Sequence, residues 1–530
     1  MPKHGGIAAV ASAALAVLGV TACSKTQSGP PPPALTLATM SRIGTVDERF
    51  QSYNIEMLEV TGGNFWKPYG NPSNARAKPV RPSSNVPAGM NPDIYQYRPP
   101  IDLTNLRRRR LAAALGPAYV RVSGTWANTT YFYDANGPAP KSPPKGFNGV
   151  LTRQQWKGVI DFANAVNARV VTSFATGVGT RNSAGVWTPR EASKVLAYTR
   201  SIGGDIAAAE FMNEPTAASM GGAPKGYDAA AYGRDLAVFR PFVKKAAPNL
   251  VILGPGSVGE GGTMVLPAGM LRSEDLLKAA GPVFDAFSYH FYGAVSNRCA
   301  SLGANDLTTE DAALSDEWLS RTDTVEAFYA NLRDRFEPGK PLWITETADA
   351  ACGGNSWAST FLDTFRYLNQ LGSMAQRGVQ VVMHNTLDAS DYGLLDENTL
   401  APRPDYWGAL LWRKLMGTTV LNPGAFSAAG LHVYAHCLRD KPGGVTVLVI
   451  NANRTAPQLL DLPLAAERYT ITAGNLLSKQ VQLNGNELSL GADDALPQLT
   501  GMATDSGNLI FAPASITFLA IPNANNSACQ

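Results

Sequence analysis

Eight short runs rich in β-branched and aromatic residues recur along the chain, at 50–57, 118–123, 169–174, 206–212, 249–253, 285–290, 341–345 and 379–384. Segments with apolar residues at helical spacing lie between several of them, at 154–167, 227–245 and 322–335. A strand that is apolar on both faces needs cover on both sides, and helices packed outside a parallel sheet supply it. Eight strands, each followed by a helical segment, predict a (β/α)8 barrel, an α/β fold.

The texture changes after Gly417. Strands are expected at 431–438, 445–451, 468–473, 479–483, 487–490, 508–511 and 515–520, with no helix between them. Asn484-Gly485 is a hairpin signal, because both residues tolerate positive φ. This region reads as an antiparallel β-sandwich. The expected organisation is a signal peptide at 1–22, a tether at 23–33, a strand joining the sandwich at 34–43, the barrel at 44–417 and the sandwich at 418–530.

The N-terminal reading rests on Lys3 followed by an apolar stretch at 7–20, shorter than the ~20 residues that a spanning helix needs. It ends in Val20-Thr21-Ala22-Cys23, which resembles a bacterial lipobox, where the signal is cut before a lipidated cysteine. The alternative is an ordinary signal peptide cut after Ala22. Either implies export to the bacterial cell envelope, lipid-anchored or secreted, and Ser24 favours the outer membrane by resemblance to bacterial sorting rules. Contact with a membrane is expected through that lipid alone, and the protein is expected to be a monomer. Removing Cys23 leaves Cys299, Cys352, Cys437 and Cys529, an even number suited to an oxidising compartment. Three pairings are open, and pairs within each region, Cys299 with Cys352 and Cys437 with Cys529, are favoured. No CxxC spacing occurs and the histidine spacing suggests no metal, so neither metal nor cofactor is expected. A net charge of +3 gives no footprint for nucleic acid. The basic run at 107–110 leads into an apolar stretch and reads as the solvated face of a helix.

In a barrel of this kind, reacting groups sit at the C-terminal strand ends. Glu214, in Phe211-Met212-Asn213-Glu214-Pro215, follows the fourth strand, and Pro215 turns the chain there. Glu346, in Leu342-Trp343-Ile344-Thr345-Glu346, ends the seventh. Two carboxyl groups meeting in one pocket can divide acid/base and nucleophilic roles. Either could also be an ordinary surface glutamate at a strand end. An Asn-Glu-Pro after strand four together with a Glu ending strand seven resembles the retaining (β/α)8 glycosidases, in which acid/base and nucleophile occupy those positions.

Longer segments narrow the resemblance. Leu115-Gly116-Pro117-Ala118-Tyr119-Val120-Arg121 is similar to the second barrel strand of the heparanases, glycoside hydrolase family 79. So are Asp391-Tyr392-Gly393-Leu394-Leu395-Asp396-Glu397-Asn398 with Pro404-Asp405-Tyr406-Trp407, and, in the sandwich, Leu476-Leu477-Ser478-Lys479-Gln480-Val481-Gln482-Leu483-Asn484-Gly485. The resemblance implies Glu214 as proton donor and Glu346 as nucleophile, with Asn213 on the sugar 2-hydroxyl. It implies Tyr292 beside the nucleophile, Ser390, Asp391 and Tyr392 in the loop that grips a uronic acid carboxylate, and Glu56 in contact with substrate. The implied activity is retaining endo-β-D-glucuronidase action on heparan-sulfate-type glycosaminoglycans, or exo action on terminal glucuronides. A non-catalytic glycan-binding lipoprotein would need no second carboxylate, and a xylosidase would not need the Tyr392 loop.

Two features depart from the pattern. Asp391 would place a negative charge beside a bound carboxylate unless it is paired. The stretch at 133–149 is short and proline-rich, which implies a compact loop and a single-chain enzyme without proteolytic activation. Other residues have bland readings. Glu210 faces a helix or the barrel floor, His384 either lines the pocket or is packed, Trp343 and Trp407 belong to the core rather than to sugar platforms, and Lys141, Lys145 and Arg298 are solvated rather than placed to meet sulfate groups.

Overall fold

The computed structural model describes residues 33–70, 86–87, 90–262, 269–302 and 308–530. The expected signal segment, Cys23 and the tether up to residue 32 lie outside the described residues.

Each of the eight expected runs contributes one strand: β1 Gln51–Glu56, β2 Ala118–Ser123, β3 Ala168–Ser173, β4 Ile206–Glu210, β5 Val251–Ser257, β6 Ala286–Val295, β7 Leu342–Ala351 and β8 Val379–His384. They pair in parallel and close into a barrel, β8 returning to β1. Helices outside it, such as Arg153–Ala165 and Ala229–Ala246, bury Trp156, Ile160, Leu236 and Phe239 against the sheet. Strands β6 and β7 run beyond their expected ends at 290 and 345, because they keep pairing with each other as far as Val295 and Ala351. Their tips therefore rise above the barrel mouth.

Three local expectations are corrected. The helix expected from 322 begins at Asp316, where the Ser315 hydroxyl accepts from Trp318 N–H and Asp316 and Glu317 face the positive end of the helix dipole. The basic run does lie on a helix, Leu106–Ala114, but Arg108 is buried and ion-paired to Asp388 at 2.6 Å. Residues 34–38 form no continuous strand. Ala34 bridges to Asp461, Leu37–Thr39 is a 3-10 turn, and the strand that joins the second domain is Arg42–Thr45.

The second domain is a nine-stranded sheet covered on its outer face by the two-stranded sheet of Gln458–Leu462 and Gly507–Phe511. Its central strand Val445–Asn451 shows why the order is stable. Val447 and Val449 pack outward with Leu460, Leu462 and Phe511, while Leu448 and Ile450 pack inward with the barrel core. On the inner face Gly372, in the helix Phe361–Gln376, lies against the Tyr434 ring, where an added Cβ would come within 2.3 Å. The strands expected at 479–483 and 487–490 shrink to Gln482–Leu483 and Asn486–Glu487, the arms of a hairpin whose turn residues Asn484 and Gly485 both have positive φ. Disulfides join Cys299 to Cys352 and Cys437 to Cys529. Thr130–Tyr133 pairs with Gly149–Thr152, which closes the proline-rich stretch between them. Among the described residues no helix is long and apolar enough to cross a membrane.

Candidate active site

A cleft of ≈ 1050 Å³ opens at the C-terminal end of the barrel, lined by residues on or after β1, β2, β4, β5, β6, β7 and β8. Its floor is polar. Glu214 takes a left-handed backbone, φ 49°, ahead of Pro215. A non-glycine residue held there costs of order 1–3 kcal/mol, a strain that concentrates at functional sites. The turn leaves the Glu214 side chain 17% exposed toward the cleft, against 7% for Glu346.

One oxygen of Glu214, one of Glu346 and a ring nitrogen of His290 all lie within 4.8 Å of one another. Both oxygens of Glu346 are held by donors. Arg121 Nη1 donates to Oε2 at 2.8 Å and the Tyr292 hydroxyl to Oε1 at 2.6 Å. Arg121 is 1% exposed and also reaches Glu210 Oε2 at 2.8 Å and Asn213 Oδ1 at 2.7 Å through Nη2. A cation within an apolar strand is stable only when paired in this way.

His290 lies between the two carboxyl groups. Its Nδ1 lies 3.0 Å from Glu214 Oε1, and its Nε2 lies 3.2 Å from Arg121 Nη2 and 3.8 Å from Glu210 Oε1. Burial lowers the basicity of the imidazole, but the charge of Glu346 and hydrogen bonding to Glu210 and Glu214 outweigh it and bring its pKa to about 9. Burial pushes the Glu214 carboxyl above its ordinary range, the His290 hydrogen bond partly offsets this, and the charge of Glu346 adds to it. An acid that keeps its proton beside an oriented carboxylate is the arrangement that acid-assisted displacement requires. Glu214, His290 and Glu346 also have the spacing of metal ligands. The donors already on their lone pairs make them a proton-handling network instead.

Glu56 closes the other end of the floor. Its Oε1 lies 3.2 Å from Asn385 Nδ2, which is also 3.1 Å from the hydroxyls of Tyr292 and Tyr392. Gly124 is required beside it, since a Cβ there would meet Glu56 Oε2 at 1.6 Å. Burial raises the Glu56 pKa well above the usual carboxyl range, Glu346 adds to this and Arg121 opposes it. Glu56 Oε2, Asn213 Nδ2 and Asn385 Oδ1 are buried without a protein partner. Each such atom costs about 1–3 kcal/mol if it stays unmet, and a ligand's hydroxyl groups in the cleft could meet these three.

The three residues expected in the carboxylate loop are used differently. Tyr392 lines the cleft. Ser390 does not, because φ 64° turns its hydroxyl to Gly353 O at 3.0 Å. Asp391 also points away from the cleft, into a buried ion pair with Arg298. Arg298 is therefore not solvated. Its guanidinium lies 4.1 Å over the Tyr69 ring, with its side chain 6% exposed. Lys141 and Lys145 are exposed. Glu210 faces the barrel interior, where Ser288 and Thr345 also donate to it. His384 packs edge-on against Tyr367 and its Nε2 contacts Tyr392 O at 2.7 Å. Trp343 packs against Tyr119 with the rings tilted by 40°, and Trp407 is 1% exposed, both in the core.

Sequence reasoning assigned no role to Arg121, His290, Asn385 or Asn128, whose amide brackets the Asn213 backbone at 3.0 Å on both sides. One signal was available. A lone arginine at an inward position of Ala118–Ser123 needs buried carboxylates nearby.

Residues 113–372, which include both glutamates, match the family model for the glycosyl hydrolase family 79 N-terminal domain. The chain is 28% identical to heparanase-like protein 1 of Arabidopsis thaliana over 81% of its own length and 86% of that protein. It is 33% identical to the heparanase of Mus musculus over 65% and 64%. Among solved structures, a 4-O-α-L-rhamnosyl-β-D-glucuronidase from Fusarium oxysporum superposes with a TM-score of 0.60 at 13% identity, covering 93% of this chain and 99% of that one.

Proposed function

The chain belongs to glycoside hydrolase family 79, and on that premise we propose that it hydrolyses β-D-glucuronides with retention of anomeric configuration. One observation carries the mechanism, the approach of Glu214 and Glu346 to within 4.8 Å. A retaining pair stands ~5–5.5 Å apart, whereas an inverting pair leaves ~6.5–9.5 Å for a water. Glu346, oriented by Arg121 and Tyr292, attacks the anomeric carbon. Glu214 gives its proton to the leaving oxygen and then takes one from the incoming water. Asn213 faces the 2-hydroxyl, where a hydrogen bond strengthens at the transition state.

Two finer readings compete, internal cleavage of heparan-sulfate-type chains and release of terminal glucuronic acid. Among the described residues no Lys or Arg lines the cleft, while Trp66, Trp126, Met220 and Met270 do. A densely sulfated chain calls for cations, so the lining favours release of terminal residues. NMR during hydrolysis of an aryl β-D-glucuronide should show the β-anomer of glucuronic acid first, and heparan sulfate should keep its length. First appearance of the α-anomer would overturn retention, and shortened heparan sulfate would replace the terminal reading with the internal one.

Tyr392 is the proposed reader of the uronic carboxylate, with loop amides beside it. A hydrogen bond to a charged acceptor contributes about 1.5–3 kcal/mol. Tyr392→Phe should therefore lower kcat/KM on an aryl glucuronide by roughly tenfold or more, and affect the aryl glucoside much less. Equal losses on both substrates would remove Tyr392 from that role.

We further propose that the protein is exported and anchored through Cys23. The support is the residue pattern ending in Val20-Thr21-Ala22-Cys23. Expression with a labelled fatty acid should tag the wild-type protein and leave Cys23→Ala unlabelled; label on both would disprove the site.

A further inference from the structure

We infer that the leaving-group side of the cleft is an apolar subsite, so that the preferred substrates are β-glucuronides of apolar alcohols or phenols rather than of sugars. The inference rests on the glucuronidase reading and concerns what the glucuronide is attached to.

The position of that subsite follows from Glu214. A general acid must come within about 2.6–3.2 Å of the oxygen it protonates, so the walls beside the Glu214 carboxyl face the departing group. Those walls are Ala217 and Met220 on the turn after Glu214, Val258 after β5, Met270, and Val295 at the tip of β6. Their segments satisfy one another's polar groups. Thr216 Oγ1 donates to Val258 O at 2.9 Å and accepts from Val258 N–H at 3.0 Å. Leu271 N–H donates to Thr216 O, and Met220 N–H to Ala217 O, both at 2.9 Å. Toward the cleft this wall offers the methyl and thioether groups of Ala217, Val258, Val295, Met220 and Met270, with Gly221 and Gly259 beside them. Val258, Ala217 and Met270 also belong to one apolar cluster with Tyr292 and Tyr392.

The contrast with the floor gives the inference its direction. Three buried polar atoms of the floor, on Glu56, Asn213 and Asn385, have no protein partner and await hydroxyl groups. The side chains of Ala217, Met220, Val258, Met270 and Val295 carry no nitrogen or oxygen that could meet a hydroxyl group. A sugar in that position would lose water from several hydroxyl groups without replacement, at a cost for each. An alkyl or aryl group would gain from burial, and Met220 and Met270, both half-buried, can adapt to its shape.

The test uses methyl, n-butyl and n-octyl β-D-glucuronide at monomeric concentrations, since these alcohols differ little in acidity and chiefly in apolar area. The octyl-to-methyl ratio of kcat/KM should be at least tenfold, and a glucuronosyl disaccharide should fall near the methyl compound. In M220Q/M270Q, which keeps side-chain length and adds polarity, the ratio should fall toward one. Because both rates are read on one preparation, loss of folded enzyme cancels from it. A flat series in the wild type, or an unchanged ratio in the double variant, overturns the apolar subsite while leaving the glucuronidase reading intact. Failure to cleave every glucuronide, with turnover of an aryl xyloside, overturns the glucuronidase reading itself and the subsite with it.

Discussion

Glu346→Gln is expected to abolish turnover on every substrate, while Glu214→Ala loses on the order of 10²–10⁴-fold on substrates that need a protonated leaving group. The two losses separate on an activated aryl glucuronide. Its phenolate leaves without an acid, so Glu214→Ala should still form the glycosyl intermediate and stall at its hydrolysis. Azide then opens that intermediate and should give the β-glucuronosyl azide. In Glu346→Ala azide can only replace the missing nucleophile, and the product is the α-azide. The two anomers, distinguished by NMR, assign the roles independently of rate. A pH profile adds a second check. Wild-type kcat/KM should fall as pH rises through the raised pKa of Glu214, and Glu214→Ala with azide should lack that limb. Near-normal rates for Glu214→Ala on an unactivated glucuronide would show that another group supplies the proton.

Arg121→Met should be the most damaging change away from the two glutamates. It removes the cation that both Glu210 and Glu346 share at 2.8 Å in a site 1% exposed. Breaking a buried pair from one side costs about 3–5 kcal/mol, because a charge is left without compensation. Lysine is not expected to rescue it, since one ammonium cannot hold Glu210, Glu346 and Asn213 in the directions that the guanidinium fork reaches. The sign of the pH dependence follows from Glu210. In the wild type its pKa is lowered, burial being outweighed by Arg121 and by hydrogen bonding from His290. Its contribution is thus present above the unfolded carboxyl pKa and is lost as pH falls toward the folded value. In the variant, burial without the cation raises the Glu210 pKa, so the stability deficit is largest near neutral pH and shrinks as the carboxyl protonates. Denaturant unfolding at pH 7.5 and pH 5 would measure this; a deficit that is equal or larger at the lower pH would disprove the shared-cation account.

Much was legible in the sequence where chemistry and period coincide. Eight strands were countable because short β-rich runs recur between helical segments, and a barrel is the closed arrangement that buries them all. Glu214 and Glu346 stood out because each ends such a strand and Pro215 forces a turn. Val445–Asn451 was legible as a strand because it is a short, largely apolar run.

Contacts over long sequence separations were not legible. Nothing near Arg121 in sequence shows that Glu210, Asn213, His290 and Glu346 surround it, since three different strands, β4, β6 and β7, bring them there. Asp391 read as an obstacle to a carboxylate ligand until Arg298, ninety-three positions away, was seen to neutralise it. Ser390 was expected in the cleft, but a single positive φ turns its hydroxyl to Gly353. Sequence alone therefore determined the fold class and which two carboxyl groups meet, because local pattern and strand position suffice for both. The proton network, the buried Arg298 pair and the division of the cleft into polar floor and apolar wall were decided only by tertiary structure, because each depends on which side chains barrel closure places face to face.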